Sequence, residues 1–229
     1  MPLADSAADT FRSFEIRSGA MLDLSNDVFP SRLCGWTGSE ELEPGGAHFG
    51  YVVRGTAELG CASGRFSLRA GMYFCATGEL TLEGGEGIVV TRLGHDALFQ
   101  IGGPVEQRGR LRYIDGCTDS LLVPPTIQGD PCLNLLHIPA GTQQTQHTHP
   151  SHRIGMIIRG SGHCITPQRA VPLAPGLVFH IREGGRHSFH TGEEDLLVLA
   201  YHPDSDFGPT HEHHPMINRT VLGDAGAAR

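Results

Sequence analysis

The sequence predicts an all-β protein made of two similar lobes, and three observations carry that prediction. Short apolar runs are bounded by Gly and Pro, which number 31 and 15 among 229 residues, as expected of strands joined by tight turns. Helical periodicity is weak throughout. The chain also repeats itself: GYVVRG, beginning at Gly50, returns as GMIIRG at Gly155, 105 positions later. The same offset pairs Arg54 with Arg159, Gly55 with Gly160, Gly71 with Gly176 and Phe74 with Phe179. Self-similarity at so long a period implies a duplicated domain rather than a solenoid.

The elements follow in order. YVVRGTAEL reads as strand, glycine turn and strand, and GRFSLRAGMYF as a strand, a turn and another strand. The joining segment, from Pro104 to Pro139, carries strand candidates LRYI and CLNLLHI, so it is expected to be woven into the lobes. MIIRGSGHCI and RAVPLAPGLVF then repeat the first pattern. Lobes of about 100 residues fit a pair of sandwiches or barrels. We divide the chain into residues 1–110 and 111–229.

Composition excludes several function classes. With 17 basic against 25 acidic residues the formal net charge is −8, and no basic stripe is visible. Nucleic acid and anionic membrane both need clustered Lys and Arg, so neither is expected as a partner. No apolar run approaches the ~18 residues of a membrane span. The polar start, MPLADSAADT, lacks a signal peptide's basic and apolar regions, so a cytoplasmic location is expected. Cys34, Cys61, Cys75, Cys117, Cys132 and Cys164 show no CxxC spacing and are read as reduced, mostly buried thiols.

Chemistry concentrates in GTQQTQHTHPSHRIGMIIRGSG, residues 141–162. On one strand His147 and His149 share a face, with Arg153 on it and His152 opposite. Two imidazoles about 7 Å apart along such a face can chelate one divalent ion. A third donor must come from a neighbouring strand, and His187 in REGGRHSFH is the candidate.

These residues resemble the first motif of the cupins. Gly141, five residues, His147, one residue, His149, three residues, Arg153, six residues and Gly160 match its spacing at every step. REGGRH, ending at His187, is a looser match to the second motif. The resemblance covers residues 40–205, as in a bicupin, and implies two double-stranded β-helix (jelly-roll) barrels. It implies metal ligation by His147, His149 and His187, with one divalent transition metal per chain: iron(II) foremost, copper, nickel, zinc or manganese otherwise. Most cupins carry a Glu ligand where this chain has Arg153, which can instead hold an anionic substrate or form a surface or interlobe ion pair. In the first lobe the corresponding positions are Leu42, Pro44, His48 and Leu82, so that lobe is expected to lack a metal.

The remaining histidines are read more plainly. His152 is expected to be exposed, or a fourth ligand if the strand bulges. His180 is placed on the outer barrel face, and His137 is expected to be packed and hydrogen bonded. Tyr201 and His202 could position ligands or substrate. The segment with His202, Asp204, Asp206, His211, His213 and His214 is read as a polar C-terminal extension, with a second metal site as the alternative.

Three functions fit. A metal-dependent dioxygenase would take a small anionic or enolic substrate oriented by Arg153. A non-redox isomerase, lyase or decarboxylase would need a proton-moving side chain, and no Asp or Glu can be placed in the cavity from sequence. The third is a small-molecule-binding module, and a homodimer is compatible with all three.

Overall fold

The structure, a computed structural model, describes residues 9–205. Strand β1 (Phe11–Phe14) is followed by β2 (Gly19–Leu24), β3 (Ser31–Leu42), β4 (Gly46–Arg54), β5 (Thr56–Cys61), β6 (Gly64–Arg69), β7 (Tyr73–Thr77), β8 (Leu80–Leu93) and β9 (Gln100–Gly102). The second half holds β10 (Leu111–Arg112), β11 (Thr118–Val123), β12 (Cys132–Ile138), β13 (Arg153–Ile165), β14 (Ala170–Leu173), β15 (Val178–Ile181) and β16 (Ser188–His202). Strands β2–β9 form one antiparallel eight-stranded sheet; β10–β16 with β1 form another. The protein is thus all-β, with two sheets that each match a cupin barrel. Among the described residues no helix is long and apolar enough to cross a membrane.

The second sheet takes one strand from the start of the chain: β1 pairs with β15 from Phe11↔Ile181 to Phe14↔Val178. Phe11 stacks on Phe179 at 5.4 Å, so the N-terminal segment is anchored by an aromatic contact inside the second lobe. The joining segment is woven in as expected: β10, β11 and β12 form one side of the second sheet.

Strand alternation explains the three apolar clusters. On β16, Leu196 and Val198 face the second barrel's interior with Ile157, Phe179 and Phe189. Leu197, Leu199 and Tyr201 point the other way, into a cluster shared with Phe49, Tyr51, Ile88 and Val90 of the first lobe. Trp36, Val52, Leu59, Phe74 and Leu82 fill the first barrel. The lobes are therefore joined by a largely apolar interface, with Phe49 against Tyr201 at 5.2 Å.

The repeat has a physical basis. Gly55 and Gly160 take φ of 74° and 83°, and Gly71 and Gly176 both take 87°, backbone that favours glycine. Gly50 and Gly155 have another reason: a Cβ on either would run into the ring of Phe74 or Phe179, their repeat-related partners. One detail differs from expectation. MIIRGSGHCI is not two strands about a turn but part of continuous β13, whose pairing with β16 shifts between Ile157 and Arg159 and again between Gly160 and Gly162. Bulges there bend the strand without ending it.

Two histidines depart from their expected exposure. His152 is 3% exposed and His180 is 7% exposed. His180 does lie outside the barrel, next in line to Val178 of the shared cluster, but the first lobe covers that face. The rings lie 5.8 Å apart, and each Nε2 is buried without a hydrogen-bond partner. Burial first, then the charges of His180, Arg153 and Arg92, pushes His152 down to about 3. Burial and Arg12 push His180 down to about 4. Unfolding frees both rings to bind protons below about pH 6.5, while the folded state binds none until those lower values. Stability should therefore fall as pH drops below 6.5, by up to about 1.4 kcal/mol per pH unit for each such histidine. Thermal melts between pH 7.5 and 5 test this; replacing both rings by Gln should make the dependence shallower, the other buried histidines (His48, His149, His187 and His202) supplying the remainder.

Candidate metal centre

His147 and His149 do not sit within a regular strand. They lie in an extended segment that runs beside the start of β16 and enters β13 at Arg153. Backbone bonds hold it there: Thr191 N–H donates to Thr142 O at 2.9 Å and Gln144 N–H to Phe189 O at 3.2 Å. His147 and His187 exchange both of theirs, at 2.9 and 3.0 Å, as an antiparallel bridge. Asp115 pins the segment from outside by accepting from Thr145 N–H at 2.7 Å. Pairing thus delivers His187 directly beside His147, where the returning chain was expected to bring it.

The three rings converge. His147 lies 4.9 Å from His149 and 4.6 Å from His187, and His149 lies 5.2 Å from His187. One nitrogen from each ring falls within 4.8 Å of the others, and this is the one such group of three or more His, Cys, Asp or Glu among the described residues. Three donors at about 2.1 Å from a single ion stand roughly 3.0–3.6 Å apart, so a pair at that limit would draw together by roughly 1 Å or more on binding.

Hydrogen bonds set the tautomers to suit. His147 Nδ1 donates to Thr145 O at 2.9 Å, and His187 Nδ1 donates to Gly185 O at 2.8 Å. A carbonyl only accepts, so each Nε2 keeps its lone pair for another partner. Burial, then the charges of Arg153, His187 and His147, pushes His149 down to about 2. Burial pushes His187 down to about 4, against the opposing bond to Gly185. Both rings are neutral at pH 7, the form that ligates. The donor set therefore fits one divalent ion.

Around the histidines is a small cavity of about 60 Å³. Phe179, Ile181, Phe189 and Val198 form its apolar walls, and Tyr113, Asp119, Asn134, Arg153 and His202 its polar ones. Arg153 is 7% exposed and on the histidine side, opposite His152 as strand parity requires. Its Nη1 donates to Ser151 O at 3.0 Å, Ser151 Oγ at 2.7 Å and His152 O at 3.0 Å, which holds the guanidinium against the cavity. His202 closes another wall, 6.3 Å from the His149 ring, and burial beside Arg153 and His149 lowers it well below the usual range. Tyr201 faces the lobe interface instead, and His137 Nε2 is bonded to Asp195 at 3.0 Å.

One expectation is corrected. An acid does lie in the cavity: Asp119 of β11. Asn134 Nδ2 donates to its Oδ2 at 3.1 Å, while its Oδ1 is buried with no hydrogen-bond partner. Burial outweighs the bonds from Asn134 and the Ser120 backbone and pushes the carboxyl up to about 7. A polar Asn134 amid the apolar residues of CLNLLHI was the sequence clue to this wall; the facing strand, TDSLLV, could not be placed without the pairing. In the first lobe His48 is tied to Thr91 and Gly78, and Leu82 packs in the core. All six cysteines are free, four of them buried. Asp206, His211, His213 and His214 lie outside the described residues.

No protein-family model matches the sequence. No curated protein matches it either. Solved structures do match, and all at low identity. The chain superposes on the Mn(II)-containing oxalate decarboxylase of Bacillus subtilis with a TM-score of 0.57 at 13% identity, covering 89% of this chain and 79% of that one. A cupin 2 conserved barrel protein from Leptotrichia buccalis gives 0.56 at 13% identity, covering 83% and 88%. Salicylate 1,2-dioxygenase from Pseudaminobacter salicylatoxidans gives 0.57 at 12% identity, covering 80% and 76%. The fold is that of the cupins.

Proposed function

We propose that the chain is a bicupin enzyme, a metal-dependent dioxygenase acting on a small anionic or enolic substrate. The carrying observation is the convergence of three imidazoles and Arg153 on one small, largely apolar cavity. His147, His149 and His187 hold one divalent metal, with iron(II) the first choice. Bound there, the metal supplies a Lewis-acid centre with open positions and, if redox-active, a path for electrons to dioxygen.

The chain's own residues do the rest. Imidazole ligands would leave the two charges of a divalent ion uncompensated, and the Arg153 guanidinium lines the same cavity, so an anion is the favoured occupant. Phe179, Ile181, Phe189 and Val198 exclude water, which strengthens those attractions. The space beside the histidines, about 60 Å³, takes a few waters or a molecule of a few heavy atoms, and an adjoining space of about 200 Å³ shares His149, Arg153, Asp119 and His202 with it. Two matched cupins carry names that specify small carboxylates, oxalate and salicylate, in keeping with this class.

A second reading, a non-redox isomerase, lyase or decarboxylase, is favoured by Asp119, which provides the proton carrier that reading requires. Oxygen uptake separates the two. Iron-loaded protein is presented with a panel of small enolic and hydroxy acids in an oxygen electrode cell. Uptake matched to substrate loss supports the dioxygenase. Turnover without uptake favours the second reading. Tight binding without turnover means a binding module. Arg153→Gln should weaken oxalate, as a probe anion, by about 10- to 100-fold with metal content unchanged.

A further inference from the structure

Asp119 stands apart from the groups that explain themselves in the second lobe. His137 and Arg159 are both partnered by Asp195, at 3.0 and 2.8 Å. His152 and His180 are sealed beneath the first lobe. Asp119 by contrast faces the same cavity as the three histidines. Its Oδ1 is buried without a partner, and so is Oδ1 of the adjoining Asn134. Two buried acceptor oxygens side by side are costly unless something donates to them. The Arg153 guanidinium, a donor and a positive charge, lines the same cavity. Tyr113 and His202 line it as well. An occupant that complements both groups has an anionic end toward Arg153 and a hydroxyl hydrogen toward Asp119.

We infer that Asp119 is the base that ionises the substrate as it binds, and that the substrate is a small enolic acid delivered with its enol proton in place. The enol O–H bond breaks and its electron pair stays on the substrate oxygen. A new O–H bond forms on the Asp119 carboxylate. Nothing is oxidised or reduced, and the proton remains in the site, available for return to product. Asp119 and Arg153 line both the cavity beside the histidines and the larger space that adjoins it at His149, so a small occupant of either meets this pair of residues. The inference rests on the proposal that this site takes small anions.

Two probes separate the roles. Oxalate is already ionised; acetohydroxamic acid is neutral near pH 8 and must lose its O–H proton to chelate. Both are titrated calorimetrically into zinc-loaded protein at pH 8, in buffers of different ionisation enthalpy, so that protons released are counted. The parent should bind hydroxamate with close to no proton release, because Asp119 keeps it. Asp119→Asn should bind hydroxamate at least about tenfold more weakly, with about one proton released, while oxalate affinity stays within about threefold. Asp119→Glu, which keeps a base, should restore proton uptake. Release of one proton from the parent overturns the inference without any variant. Equal loss of oxalate and hydroxamate in Asp119→Asn, with zinc retained, overturns it in favour of a structural role. Zinc-loaded parent that binds neither probe overturns the proposed function itself.

Discussion

Replacing His187 by alanine should lower bound metal from about one equivalent per chain to under about a tenth. Only three nitrogens converge in the described residues, and removing one leaves two donors that cannot close around an ion in the same way. The backbone bridge between His147 and His187 does not depend on the side chain, so the segment should keep its place. Metal analysis of protein made without an affinity tag measures the effect. His147→Ala should behave alike, and His211→Ala, outside the described residues, should retain the metal. Retention in His187→Ala with loss in His211→Ala would move the site to the C-terminal segment.

Gly155→Ala should destabilise the fold by about 1–3 kcal/mol, which for a chain of this size is roughly 2–4 °C of melting temperature per kcal/mol. Its Cβ would press on the Phe179 ring and on the Leu199 carbonyl. A ring can swing aside, whereas a carbonyl bonded within the sheet cannot. Gly50→Ala presses on the Phe74 ring, which can swing aside, and should cost less. Function should separate the pair. Phe179 lines the metal-site cavity, so Gly155→Ala should also reduce probe binding, whereas Phe74 belongs to the first barrel's core. Thermal melts alongside oxalate titration of both variants provide the comparison.

Sequence alone determined the strand-rich class, the internal repeat and the spacing of His147 and His149. Each rests on local rules: glycine at positive φ, alternation along a strand, and donor spacing within one short segment. Gly55 and Gly160, or His147 and His149, need no knowledge of distant residues to be recognised. The tertiary structure decided what depends on neighbours. Strand β1 joins the second sheet because Phe11 finds Phe179, a pairing across 168 positions that no local pattern encodes. His152 and His180 lie on the outer face of their barrel, as parity required, yet are buried because a second lobe covers that face. Asp119 joins the cavity because β11 pairs with β12 in the register Asp119↔Leu136, beside Asn134. Burial is a property of what packs against a residue, and one chain read in order does not show that; only the closed fold placed a carboxyl acid on the wall of the site.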